Sequence, residues 1–160
     1  FFGWHIGNPG AFQLFETARN LGLEYSRTVE NSLSFQIPDD FMKWHPTCHH
    51  KQLTKELIDK FLNSPSHRTL YLMYIWGHSY EFDNDQNWDE MEAFCKSLAN
   101  QKDVWYATNI EIKDYILAMK NMIVSVDQKV LYNPSGISVW LQTEEGSLEI
   151  LPGETLYLKN

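Results

Sequence analysis

The chain has 160 residues, is 43% hydrophobic and carries a net charge of −8: enough apolar sequence for one domain-sized core, and too acidic for the basic footprint that nucleic acid or an anionic membrane requires. No apolar run reaches the roughly 18 to 20 residues that cross a bilayer, and two cysteines, Cys48 and Cys95, cannot make a disulfide framework. Aromatic residues supply 14% of the chain, which suggests a ligand-facing surface as well as packing. No signal-peptide pattern is visible, and the compartment stays open between cytoplasmic and secreted.

In chain order, Asn8-Pro9-Gly10 predicts a helix start with Asn8 as cap. Phe12, Phe15, Ala18 and Leu21 share one side of that helix and Gly22 stops it. A short strand from Leu23 to Val29 follows. Residues 30–40 read as a polar connection closed by Pro38-Asp39-Asp40 turn chemistry, and Phe41 to Trp44 as a brief strand. Beyond the polar cluster His45-Pro46-Thr47-Cys48-His49-His50, Leu53, Leu57, Ile58 and Phe61 mark a helix ending before Pro65.

The clearest strand is Leu70 to Trp76, an unbroken apolar and aromatic run that reads as buried on both faces in a parallel sheet. It ends in Gly77-His78-Ser79-Tyr80-Glu81, a loop expected to run to Asn87. There Asn87 and Glu90 predict a capping box for a helix with Trp88, Met91, Phe94, Cys95 and Leu98 on one face, which reads Cys95 as core. Val104 to Ala107 predicts another short buried strand, and Thr108 with Glu111 caps a helix carrying Ile112, Tyr115, Ile116 and Met119. From Asn121 short alternating runs (Val124/Val126, Ile137/Val139/Leu141, Leu148/Ile150, Leu156/Leu158) are separated by turn residues such as Asn133-Pro134-Ser135-Gly136, Glu144-Glu145-Gly146 and Pro152-Gly153. That is the pattern of antiparallel hairpins.

The alternation predicts an α/β body over residues 1–120 and a small antiparallel β appendage over residues 121–160. Three or four strand-helix units are too few for a closed barrel of eight, which needs roughly 250 residues. A partial barrel leaves open sheet edges, so either the sheet is open or strands come from an upstream segment, from another chain, or from a second copy in a homo-oligomer. Catalytic groups collect in loops at the carboxyl ends of such strands, which singles out His78.

The segment Trp76-Gly77-His78-Ser79-Tyr80-Glu81-Phe82-Asp83, with Asn87-Trp88 and Phe94-Cys95 after it and Trp44-His45-Pro46-Thr47-Cys48-His49-His50 before it, resembles the C-terminal half of a bacterial polysaccharide deacetylase. The type is the carbohydrate esterase related to chitooligosaccharide deacetylases. The helix-strand step Ala18 to Val29 fits as well, and the resemblance covers residues 8–115. It implies a distorted, TIM-like (β/α) barrel, of which this chain carries about half. It further implies a divalent metal, often zinc, and removal of acetyl groups from N-acetylated oligosaccharides or polysaccharides, with His78 as general acid. The family's Thr-Phe-Asp-Asp segment, bearing the catalytic base and a metal-binding aspartate, and its His-x-x-x-His segment, bearing two further metal ligands, are both read as absent from this sequence. The metal-holding half of the site is therefore expected in another segment, and no metal ligand is assigned here.

The chemistry explains a histidine at that position. Attack on an amide carbonyl builds an oxyanion intermediate that collapses once the departing amine is protonated, and an imidazole titrating near neutrality can supply the proton. A turn-capping role for His78 fits the spacing equally. His45, Cys48, His49 and His50 include zinc-type ligands, but they crowd into six positions with no second pair at a finger-like distance, which argues against a dedicated structural site. One of His49 and His50 is expected to line a sugar pocket and the other to cap the helix nearby. Trp44, Trp76 and Tyr80 flank the histidines and offer flat faces to pyranose rings; Trp76 suits the core as well, and Tyr80 has the better claim. Two further readings are a non-catalytic carbohydrate-binding relative and an unrelated α/β protein, the latter leaving the paired motifs unexplained.

Overall fold

The computed structural model describes residues 3–4, 11–64, 69–143 and 146–158. The expected cap at Asn8-Pro9, the stop at Pro65, the turn at Glu144-Glu145 and most of the stretch from Phe2 to Gly10 lie outside the described residues. The described residues form a mixed helix-and-sheet structure that divides into two compact units, Phe1–Trp105 and Tyr106–Asn160. This division falls ahead of the helix beginning at Asn109, which groups with the hairpins; the sequence places that helix in the 1–120 body.

In the first unit, β1 (Gly3–Trp4) pairs parallel with β2 (Arg27–Thr28) through α1 (Ala11–Asn20), and β3 (Cys48–His49) pairs parallel with β4 (Ile75–Trp76) through α2 (Lys55–Leu62). An isolated parallel bridge sets Arg27 of β2 beside Trp44, four residues ahead of β3, with Thr28 N–H donating to the Trp44 carbonyl at 2.9 Å. Successive parallel segments are therefore spatial neighbours in chain order. No closed barrel forms among the described residues.

The strands are shorter than their hydrophobic runs. Pro46 brings no N–H to a ladder. Beside it the Thr47 hydroxyl accepts the Tyr74 N–H at 3.0 Å, where a strand would offer a carbonyl, and Leu72 N–H turns to the Phe35 carbonyl at 2.7 Å. Only Ile75 and Trp76 of the 70–76 run are strand, both half-buried rather than covered on two faces. Burial on both faces takes neighbours on both edges, and among the described residues β4 pairs with β3 alone.

Leu23 to Val29 likewise narrows to β2. The expected strand at Phe41 to Trp44 is instead a 3-10 turn over Phe41–Lys43, because the Asp40 carboxylate accepts the Met42 N–H at 2.9 Å and caps it. Gly22, at φ +85°, ends α1 in the left-handed conformation that glycine reaches without strain.

Phe15, Ala18 and Met42 form one apolar cluster, and Cys48, Leu53 and Ile58 a second one joined by Met73, Ile75, Phe94 and Leu98. After β4 come α3 (Ser79–Asp85) and α4 (Trp88–Leu98). Phe94 and Leu98 turn inward from α4, whereas Cys95, read as core, is exposed at the margin of that stripe. Val104 to Ala107, expected as a buried strand, is not one, and Trp105 and Tyr106 are exposed.

In the second unit, α5 (Asn109–Lys120) starts with the expected Thr108–Glu111 capping box. The hairpin expectation holds. β5 (Ile123–Val124), β6 (Val130–Tyr132) and β9 (Thr155–Tyr157) form an antiparallel sheet, and β7 (Val139–Thr143) pairs with β8 (Gly146–Ile150). Buried Asn133 ties them together: its amide donates to the carbonyls of Ile137 and Ile150 at 2.8 and 3.0 Å, and its oxygen accepts the Ser135 hydroxyl at 2.6 Å.

Candidate functional site

Parallel strands with their carboxyl ends side by side bring His49 of β3 opposite Trp76 of β4. The chain turns immediately after each, so the side chains that follow the strands meet at one edge. Gly77 makes this possible: a Cβ there would lie 2.1 Å from Cδ2 of His50, so only glycine lets the two segments approach this closely.

The segment after Gly77 is not the loop expected from the sequence. His78 is the N-cap of α3, and Glu81, three residues on, accepts the His78 N–H at 2.9 Å in the manner of a capping box. Gln86, at φ +54°, ends α3 before Asn87 begins α4. The Glu81 carboxylate is also the meeting point of the two histidines. Its Oε2 lies 3.1 Å from Nε2 of His49 and 3.2 Å from Nε2 of His50. Nδ1 of His49 accepts the Lys51 N–H at 3.3 Å, which places the proton of that ring on Nε2, directed at Glu81. Lys51 pairs with Asp85 at 2.6 Å and reaches Oε1 of Glu81 at 3.8 Å.

Burial is graded across this group. The side chain of His50 is 5% exposed, against 15% for His49 and 16% for Glu81. Aromatic walls hold the rings: Trp76 packs edge-on against His49 at 4.5 Å and Phe82 lies against His50 at 4.3 Å. Burial works to raise the Glu81 carboxyl, but the His78 N–H and the two imidazoles outweigh it and hold the group below its ordinary range. Burial lowers His49; Glu81 opposes that shift, while His50 and Lys51 reinforce it. At neutral pH the arrangement is a carboxylate with a neutral His49 imidazole.

His78 stands in solvent at the end of β4, its ring stacked on Tyr80 at 5.2 Å and 19° and edge-on to Trp76 at 6.0 Å. Tyr80 is 58% exposed, so its outer face is open to a ligand. Trp44 has no such face. At 1% exposure it is enclosed by Tyr25, Phe41 and Tyr74, which corrects its reading as a sugar-stacking residue. Cys48 is fully buried and burial raises its thiol, so it is core rather than nucleophile.

The sequence reading missed Arg27 and Asn31. The Arg27 guanidinium lies 4.2 Å over the Trp76 ring, whose indole N–H donates to Asn31 at 3.0 Å. The signal for Arg27 was a cation inside a short buried strand; Asn31 carried none. His45 and His49 do stand at His-x-x-x-His spacing, which corrects the reading that this sequence has no such segment. The structure gives the two different partners, His45 bonding to the Thr28 hydroxyl at 2.7 Å while His49 faces Glu81.

Compared with protein-family models, curated proteins and solved structures, the chain matches none.

Proposed function

We propose that the chain carries the C-terminal portion of a metal-dependent carbohydrate deacetylase, an amide hydrolase acting on N-acetylated oligosaccharides or polysaccharides, with His78 as general acid. The observation that carries this reading is the position of His78: solvent-facing at the carboxyl end of a parallel strand, between Trp76 and an exposed Tyr80. The chain-order adjacency of the parallel segments supports a barrel-type sheet of which these strands are one part.

In this reading His78 gives its proton to the departing sugar amine, Tyr80 stacks on a pyranose ring, and Glu81 fixes His78 through its backbone N–H at 2.9 Å. His49 and His50 hold Glu81 and form the floor beneath it. A divalent metal, when bound, supplies a hydroxide nucleophile at neutral pH; the family's aspartate ligand belongs to a segment that does not occur in this sequence.

The test is acetate release from N-acetylglucosamine oligomers, measured for the intact gene product and for these 160 residues. Metal-dependent release by the first and negligible release by the second are expected. Failure of the intact product to release acetate overturns the reading, and robust metal-dependent release by the 160 residues alone contradicts the assignment of the metal ligands to another segment. The open face of Tyr80 also supports a second reading, a carbohydrate-binding relative without turnover. Oligosaccharide binding by the intact product with no acetate release selects it.

A further inference from the structure

We infer that His49, His50 and Glu81 form a binding site for a d-block divalent cation of the zinc class, through Nε2 of each histidine and a carboxylate oxygen. The inference rests on these three side chains and not on the hydrolase reading, and the ligand set is not the one the deacetylase resemblance implies.

Geometry is the first support. A tetrahedral ion with bonds of about 2.0–2.1 Å needs its ligand atoms roughly 3.3 Å apart. The two nitrogen–oxygen separations are 3.1 and 3.2 Å, and all three atoms lie within 4.8 Å of one another. Two of the three separations thus match those around a central ion, and the third is held within 4.8 Å. Crowding of histidines in the sequence argued against a metal because no second pair stands at a finger-like distance; the fold brings a carboxylate from 31 residues away, across β4 and into the first turn of α3.

Chemistry and rigidity are the second. Two imidazoles and one carboxylate are a borderline-soft donor set that favours zinc, cobalt or nickel over magnesium or calcium, and three protein ligands leave a position for water or a carbonyl oxygen. His50 is fixed between Phe82 and the backbone of Gly77, while the part-exposed edges of His49 and Glu81 leave a way in. The Lys51 ammonium, the nearest ion-paired cation to Glu81, is drawn off by Asp85 at 2.6 Å against 3.8 Å to Oε1 of Glu81. Binding moves the His49 proton from Nε2 to Nδ1. One 3.3 Å bond from the N–H of the exposed Lys51 is lost, and that donor turns to water.

The test is titration of the chelator-treated protein with Co2+, read by its visible absorption. One equivalent is expected to give the intense bands of a four-coordinate ion, displaced by Zn2+ and untouched by Mg2+. Glu81→Gln and His49→Ala, each checked for fold by circular dichroism, are expected to weaken binding by more than about 100-fold. No spectrum, or one that both variants retain, overturns the site. Imidazole 15N NMR of the unsubstituted protein gives a second measurement that needs no variant. Zn2+ is expected to move the Nε2 signals of His49 and His50, and movement confined to His45 or His78 overturns the inference. Metal binding here without acetate release by the intact product would defeat the hydrolase reading and leave this site standing.

Discussion

Gly77 shows how a single absent atom sets the site. Any side chain at this position drives into the imidazole of His50 at 2.1 Å, and His50 is locked between Phe82 and the Glu81 carboxylate. Gly77→Ala is therefore expected to lower stability by about 1–3 kcal/mol, the usual range for overpacking, seen as a reduced unfolding midpoint. The same substitution should release His50 from Glu81, with loss of amide protection at the start of α3. An unchanged midpoint would mean that the strand ends have slack the contact distances deny. At this scale the sequence was informative about chemistry and silent about facing. His78 stands out in the sequence because a glycine and a polar group end an apolar run. The burial of Trp44 was not, because an aromatic beside a histidine looks the same whether its ring meets a sugar or Tyr74.

Among the elements, the clamp between α1 and the following 3-10 turn is the clearest electrostatic device. Arg19 reaches Asp40 at 2.6 Å while the same carboxylate caps Met42. Burial works to raise the Asp40 carboxyl, but Arg19, the Met42 N–H and Lys43 together hold it below its ordinary range. A carboxyl lowered in the folded state contributes stability above its unfolded pKa, and that contribution is lost as pH falls through the folded value. Acidification from neutrality to below the carboxylate range should thus lower the unfolding midpoint of the parent protein more than that of Asp40→Asn. Parallel curves for the two would contradict the clamp. Helices were the legible elements, since caps such as Thr108–Glu111 and stripes such as Leu57, Ile58 and Phe61 are local. Strand lengths were not, because Thr47 and Phe35 capture the donors of Tyr74 and Leu72 from far along the chain. α3 was missed for a related reason: its cap is a histidine, and Glu81 stands in the segment expected to be a loop.

For the whole molecule, the first unit presents β1 and β4 as outer strands among the described residues, each paired on one side only. Unpaired strand edges recruit further strands. Sedimentation of the 160-residue chain is accordingly expected to show association that grows with concentration, and a monomer throughout would remove the homo-oligomer as cover for those edges. The central claim concerns His78, and its most direct test compares leaving groups. Replacing His78 with alanine in the intact gene product should slow acetate release from an N-acetylated sugar about 10²–10⁴-fold in kcat. It should scarcely affect an activated aryl acetate, whose phenolate leaves without a proton. Equal losses on both substrates, or none on either, would contradict a general acid at the end of β4.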